Sequence, residues 1–367
     1  MKLKRIIISG GGTGGHIFPA VAIADEIKRR NPDAEILFIG AEGKMEMEKV
    51  PAAGYTIIGL PIAGFQRKLT ISNFLLPFKI LKSMSKARRI LKEFNPEAVV
   101  GVGGYASGPT LKAATWQKIP TLVQEQNSFP GKTNILLSKS VNVLCTAYDG
   151  LEKFFPAKKI RLTGNPVRKE MVEIEGKRSE ALEYYQLDAN KQTILIIGGS
   201  LGARTLNRSV VAHLQKISEN SEVQFLWQSG KLYFNQLQSE LKESLPANVR
   251  LLQFIDRMDL AYAAADVIIS RAGAISVSEL CLIGKPVILV PSPNVAEDHQ
   301  TKNAMALVNR NAAILVKDVD SEEKLIPTVF DLVKNADKRS ELSGEILTLG
   351  KPNATADIVN ELEKIIK

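Results

Sequence analysis

Short β-branched runs alternate with amphipathic stretches along the whole chain. KRIIISGG (4–11), AEILFIG (34–40) and EAVVGVGG (97–104) read as strands, and AVAIADEIKRRNP (20–32) reads as a helix between the first two. The series then restarts: QTILIIGGSLGARTLNRSVV (192–211) repeats the opening strand, glycine turn and helix, and EVQFLWQSG, NVRLLQFI, DVIISRAG and KPVILVPS follow as strands. Strands that alternate with helices predict parallel sheets with crossover helices. The pattern written twice predicts an α/β protein of two Rossmann-like domains facing across a cleft, residues 1–163 and 164–349, joined near GNPVR (164–168). The tail PNATADIVNELEKIIK carries apolar Ile358, Val359, Leu362, Ile365 and Ile366 at helical spacing. It is expected to form a C-terminal helix within 350–367 that packs back on the N-terminal domain. In open parallel sheets ligands bind outside the carboxyl ends of the strands, so the site is expected at the glycine turns, in the cleft.

Composition refines this picture in two places. With 367 residues, 45% hydrophobic and 24% charged, the chain has the size and polarity of a two-domain soluble protein. No stretch approaches the ~20 apolar residues of a membrane span, and the opening MKLKRIIISGGG has too short an apolar run for a signal peptide, so a cytoplasmic location is expected. Cys145 and Cys281 lie in apolar surroundings and are expected to be buried thiols. Charge is uneven: residues 1–166 hold 24 Lys and Arg against 12 Asp and Glu, a net of +12, while the remainder is −3. From residue 67 to 92 there are eight basic residues and no acidic one.

The first glycine turn, GGGTGGHIFPA (10–20), satisfies G-x-G-x-x-G and invites a dinucleotide-binding, oxidoreductase reading. That reading wants an acid at the end of the second strand for the ribose; Glu42 comes somewhat late, and His16, Phe18 and Pro19 occupy positions where the fingerprint favours small residues. The segment SRAGAISVSELCLIGKPVILVPSPNVAEDHQTKNA (270–304) points elsewhere. It sets Ser276 and Glu279 on one helix turn after a glycine, and then delivers His299, Gln300 and Asn303 from a polar loop. A carboxylate suits two ribose hydroxyls, amides suit sugar hydroxyls, and helix starts behind glycine loops suit a diphosphate, which together describe a nucleotide-sugar site. No carboxylate pair or histidine cluster stands at ligand spacing, so neither a metal nor another cofactor is expected. His213, on a helical face in VVAHLQKI, reads as structural.

GGTGGHIFPA, GVGGYASGP, QEQN, GNPVR, GGSLGARTLN, FIDRM, SRAGAISVSEL and DHQTKNA occur in that order along nearly the whole chain. In this the sequence resembles the UDP-GlcNAc transferases of peptidoglycan synthesis, within the GT-B glycosyltransferases of family 28. The resemblance implies a GT-B fold and inverting transfer of GlcNAc from UDP-GlcNAc to the 4-hydroxyl of undecaprenyl-diphospho-MurNAc-pentapeptide. It implies donor contacts from Thr13, Gly14, Gly15, Asn127, Arg168, Ser200, the Ile255 backbone, Ala274, Ile275, Ser276, Val277, Ser278, Glu279, His299 and Gln300. Gly11, Gly12, Gly103, Gly104 and Tyr105 would cradle the acceptor diphosphate. His16 is the implied base, with Glu125 in reserve. Where the family often has a histidine this chain has Gln124. A non-catalytic nucleotide-binding or membrane-scaffold protein on the same fold is the alternative; it would have no reason to keep Asn127, Glu279 and Gln300 together.

A membrane-embedded acceptor also gives the basic stretch a meaning. LTISNFLLPFKILKSMSKARRILKEF (69–94) joins apolar Ile71, Phe74, Leu75, Leu76 and Phe78 to a helix expected from Pro77, with Lys79, Lys82, Lys86 and Arg89 along one side and Ile80, Leu81, Met84 and Ile90 turned inward. The expectation is a peripheral protein on the anionic inner face of the plasma membrane, with no nucleic-acid partner and with cell-wall synthesis or division proteins as neighbours.

Overall fold

The computed structural model describes residues 3–62 and 76–366. These gather into two compact units, Met1–Val167 with Lys351–Lys367, and Arg168–Gly350. Each is a parallel sheet with crossover helices.

In the first unit the strands are β1 (Arg5–Ser9), β2 (Glu35–Ala41), β3 (Thr56–Leu60), β4 (Ala98–Gly101), β5 (Thr121–Glu125), β6 (Val143–Thr146) and β7 (Ile160–Leu162), in the order β3-β2-β1-β4-β5-β6-β7. Ile7 of β1 stands beside Leu37 on one side and Val99 on the other. Strands covered on both faces can be apolar without alternation, which is why Ile6, Ile7 and Ile8 are all fully buried. The order reverses between β1 and β4, so the switch point of this sheet lies where the two glycine turns emerge. Helix α1 (Gly14–Arg30) opens inside the glycine loop and runs through Pro19, several residues before the predicted start at Ala20. The proline ring removes the N–H that would bond the Gly15 carbonyl, but so near the helix start it leaves the later turns intact.

The C-terminal helix Ala354–Ile365 belongs to this first unit, where it packs on α1, β5 and β6. Ile358, Val359 and Leu362 enter the same apolar core as Ile6, Ile23 and Cys145. Arg30 closes the seam, with Nη1 donating to Asn360 Oδ1 at 2.8 Å and Nη2 to the Ala356 carbonyl at 2.9 Å.

The second unit has β8 (Gln192–Ile197), β9 (Val223–Gln228), β10 (Val249–Leu252), β11 (Val267–Ser270), β12 (Val287–Leu289) and β13 (Ile314–Leu315), ordered β10-β9-β8-β11-β12-β13. Its switch point falls between β8 and β11, the strands that precede GGSLGAR and RAG. Trp227 on β9 is fully buried, and its indole N–H donates to Asn207 Oδ1 at 3.0 Å. Both cysteines are buried as expected, and burial pushes the Cys281 thiol up to about 12.

The basic helix runs Leu76–Phe94. Ile90 is buried and Met84 half-buried, as its periodicity predicts, but Ile80 is 37% exposed and Leu81 65%. The expectation that these two pack inward is corrected: among the described residues no element covers the first turns of this helix deeply enough to bury them. Phe78, 71% exposed, lies beside them. Lys86 is not a purely solvated charge, since its Nζ meets Glu42 Oε1 at 3.0 Å. Ile71, Phe74 and Leu75 lie outside the described residues.

Candidate active site

The second unit holds a cavity of about 600 Å³ at the carboxyl ends of β8 and β11. Its floor is the glycine turn Gly198–Gly202, with Ser200 exposed at the rim and Arg204 opening the next helix. Main-chain N–H groups in such a turn can approach phosphate oxygens without side chains intervening. The opposite wall is the helix Ala274–Ile283, which starts at the Gly273 cap and directs Ser276 and Glu279 into the space. Two side chains brace the walls. Gln228 donates through Nε2 to the Gly199 carbonyl and accepts the Ile255 N–H on Oε1, at 3.0 and 2.9 Å. Arg271 pairs with Asp318 and donates to the Val290 carbonyl, while Asp318 also accepts the Thr205 hydroxyl.

Glu279 is the chemically unusual group. It lies on the second turn of its helix and is only 9% exposed. The Tyr262 hydroxyl donates to its Oε2 at 3.1 Å. Its carboxyl is pushed up to about 7, chiefly by burial, against the opposing pull of the Tyr262 hydrogen bond and the Arg168 charge. An ionised carboxylate out of water is disfavoured unless donors reach it, and a ligand's hydroxyl pair would supply two. Gln300, also on the cavity wall, is oriented by the Ser292 N–H, which donates to its Oε1 at 2.8 Å.

In the first unit the two glycine turns meet at the switch point. A Cβ on Gly104, whose φ is +86°, would fall 2.4 Å from the Gly11 carbonyl oxygen, so close packing of the turns requires glycine there. His16, on the first turn of α1, sets Nδ1 at 3.0 Å from the Gly11 carbonyl. A carbonyl only accepts, so this contact places the proton on Nδ1 and the lone pair on Nε2. Tyr105 stands exposed beside Gly104. Ser107 ties the turns together, donating its hydroxyl to the Ser9 carbonyl at 2.6 Å.

Several expected roles change with this geometry. Glu125, the reserve base, is buried and accepts four hydrogen bonds: Oε1 takes the Asn127 N–H and Nδ2, and Oε2 takes the Gly131 N–H and Asn134 Nδ2. Its lone pairs are engaged, so it orders the loop that carries Asn127. Gln124 is likewise buried and donates to Asn165 Oδ1 at 2.9 Å. Val277 is fully buried and its N–H donates to the Gly273 carbonyl, at the start of the helix that forms the cavity wall. The Ile255 N–H is occupied by Gln228, and Ile255 lines a separate cavity of about 340 Å³ with Tyr184, Tyr185 and Arg250. His213 places Nδ1 at 3.0 Å from the Ser209 carbonyl, a local structural role. Sequence reasoning missed Arg204, Tyr262, Gln228, Arg271 and Asp318 on the cavity wall. Arg204 and Arg271 were signalled as the basic residues inside two of the quoted motifs; Tyr262 and Asp318 reach the cavity only through the fold.

The titration of Glu279 yields a stability prediction. An acid whose folded value lies above the ordinary 4.5 costs no stability below that pH, an increasing amount as pH rises towards the folded value, and a constant amount above it. Glu279→Gln should therefore gain on the wild type between pH 5 and pH 8 by on the order of 3 kcal/mol. Urea unfolding of the ligand-free protein at the two pH values measures this; an equal difference at both would contradict the account.

Comparisons with known proteins join the two units. The Glycosyltransferase family 28 N-terminal domain matches residues 6–145, and the Glycosyltransferase family 28 C-terminal domain matches residues 193–361. A Bacteroides fragilis protein named UDP-N-acetylglucosamine–N-acetylmuramyl-(pentapeptide) pyrophosphoryl-undecaprenol N-acetylglucosamine transferase is 56% identical over 363 residues, covering 98% of this chain and 95% of the relative. Its namesake from Parabacteroides distasonis is 54% identical, with 100% and 99% covered. The crystal structure of MurG from Acinetobacter baumannii is 30% identical and superposes with a TM-score of 0.80, covering 98% of this chain and 99% of its own. With both domain matches in order and relatives this similar over nearly the full length, the chain belongs to glycosyltransferase family 28.

Proposed function

We propose that this protein transfers N-acetylglucosamine from UDP-GlcNAc to the 4-hydroxyl of undecaprenyl-diphospho-MurNAc-pentapeptide, forming the disaccharide lipid and UDP. The observation that carries the reading is the second-unit cavity, where a phosphate-type glycine turn faces a buried carboxyl. The diphosphate lies on the turn Gly198–Gly202 and Ser200, with the Arg204 charge near, and Glu279 accepts the two ribose hydroxyls. Uracil meets the backbone of Ile255, next to Phe254, which lines both cavities. In the second unit Gln300 and the Ala274–Ser276 helix start serve the sugar, together with Arg168 and His299, and Asn127 of the first unit is assigned the same task. The acceptor diphosphate lies on Gly11, Gly12 and Gly103–Tyr105, and Thr13, Gly14 and Gly15 serve the donor.

Transfer is a single displacement with inversion. His16 takes the proton of the 4-hydroxyl on Nε2, the new C1–O4 bond forms, and the bond from C1 to the UDP phosphate oxygen breaks. Fixed backbone dipoles and arginine charge stabilise the leaving diphosphate. Among the described residues no group of three or more His, Cys, Asp or Glu is placed to hold a metal, and the protein's own groups are assigned every step here. A non-catalytic scaffold is not favoured, because the relatives that match over nearly the whole chain are named as transferases.

The purified protein with UDP-GlcNAc should release UDP only when a lipid-linked MurNAc-pentapeptide is added. Equal release without acceptor, or none with it, would overturn the proposal.

The acceptor's lipid gives the helix Leu76–Phe94 its proposed role as a peripheral attachment to the inner face of the membrane. No helix among the described residues is long and apolar enough to cross a bilayer, whereas Phe78 and Leu81 are exposed next to Lys79 and Lys82. Each basic residue near an anionic surface adds about 1 kcal/mol, and the apolar pair adds a part that salt does not screen. Reversing Lys79 and Lys82 to Glu should weaken binding to phosphatidylglycerol-containing vesicles by about 10-fold or more at ~0.1 M salt. Unchanged binding in that variant, and in Phe78→Ser with Leu81→Ser, would show that this surface is only solvated.

A further inference from the structure

Glu46 has no part in the transfer as described, yet it is among the most deeply buried carboxyls in the protein, 1% exposed at the first residue of α2 (Glu46–Ala52). Its Oε2 accepts the Gly12 N–H at 2.7 Å and its Oε1 accepts the Ala41 N–H at 3.0 Å. With both oxygens accepting, it has the bonding pattern of an ionised carboxylate. Two glycines make room for it. A Cβ on Gly11 would lie 2.2 Å from the Glu46 Cδ, and one on Gly40 would lie 2.6 Å from its Cγ. The loop is therefore built around this side chain, and the contact is no accident of a flexible surface residue.

The Gly12 N–H and the Gly11 carbonyl are the two ends of one peptide group. The carboxylate holds one end, and His16 Nδ1 sits 3.0 Å from the other. A negative charge on the N–H side of a peptide draws density towards its carbonyl oxygen and makes that oxygen a better acceptor, the cooperative strengthening expected of hydrogen-bonded chains. A stronger acceptor at Gly11 holds the imidazole proton on Nδ1 and the lone pair on Nε2. It also favours the imidazolium formed when Nε2 takes a proton.

We infer that Glu46 is a positioning residue for the transfer reaction, acting through the Gly11–Gly12 peptide to fix the tautomer and orientation of His16. The arrangement is a carboxylate, peptide and histidine in series, with the peptide inserted where other enzymes place the carboxylate directly on the ring. No proton passes along it: the proton from the acceptor hydroxyl stays on Nε2, and the Nδ1 and Gly12 protons stay where they are.

This inference rests on the proposed role of His16 as base, and the experiment separates the two. In ¹⁵N-labelled wild-type protein, at a pH where the imidazole is neutral, the His16 nitrogen shifts should report Nδ1–H with Nε2 unprotonated. Glu46→Gln keeps the size of the side chain but removes the charge and turns a donor onto one of the two amides. It should move the His16 signals towards Nε2–H and lower kcat by about 10- to 100-fold, a part of the ~10²–10⁴-fold that a positioned base supplies. The KM for UDP-GlcNAc should change far less than kcat, because no donor group of the second unit is touched. A wild-type His16 found as Nε2–H overturns the relay without any variant having to fold. A Glu46→Gln protein with unaltered His16 shifts and unaltered kcat, while His16→Ala is inactive, overturns it as well. If His16→Ala retains near-normal kcat, the base assignment fails, and a tautomer shift in Glu46→Gln would still show that the relay exists.

Discussion

Three of the buried carboxyl groups lie near the ends of the parallel strands at the glycine turns and the cavity, and the way each is satisfied divides structure from chemistry. Glu46 is held by two backbone N–H groups. Glu125 is surrounded by four donors from the loop that follows it and the helix beyond. Glu279 receives, among the described residues, the Tyr262 hydroxyl, and burial raises its titration to about 7. Burying a charge is unfavourable by several kcal/mol unless donors replace water. Two of these sites are complete as folded. The third has the Tyr262 hydroxyl as its donor among the described residues, and the proposed donor ribose would complete it.

The glycine turns follow from the same constraint. Backbone N–H groups can solvate a buried carboxylate or a diphosphate only where no side chain intervenes, so the turns that must bind anions are also the turns that pack most tightly. In the first unit one loop is assigned both tasks: it encloses Glu46, and it is the loop proposed to hold the acceptor diphosphate. The switch point of each sheet supplies the gap in which such a loop can stand, because the crossovers leave in opposite directions there.

Much of the fold was legible in the sequence. Every quoted apolar run that ends in a glycine or serine turn became a strand, since runs such as IIIS and ILII have no helical periodicity and suit a sheet covered on both faces. Glu279, Gln300 and Ser200 were legible as a group because their motifs carry polar residues at fixed offsets from glycine. What stayed hidden depended on register and tertiary approach. Nothing in AEGKMEME distinguishes the buried Glu46 from the exposed Glu42 and Glu48, and Glu125 reads as a base until its four donors are seen. Ile80 and Leu81 were assigned inward on helical periodicity alone, which gives the face of a helix but not how far its neighbours extend to cover it.

Glu279, a carboxyl held back from ionising by burial, is proposed to be completed by the donor's ribose. Calorimetric titration with UDP-GlcNAc at pH 7, in two buffers of different ionisation enthalpy, tests it directly. A group titrating near 7 when empty and ionised when bound should release about half a proton per donor bound at that pH, falling towards zero above pH 8.5 and absent in Glu279→Gln. Binding without proton release at pH 7, or with release unchanged in Glu279→Gln, would contradict it.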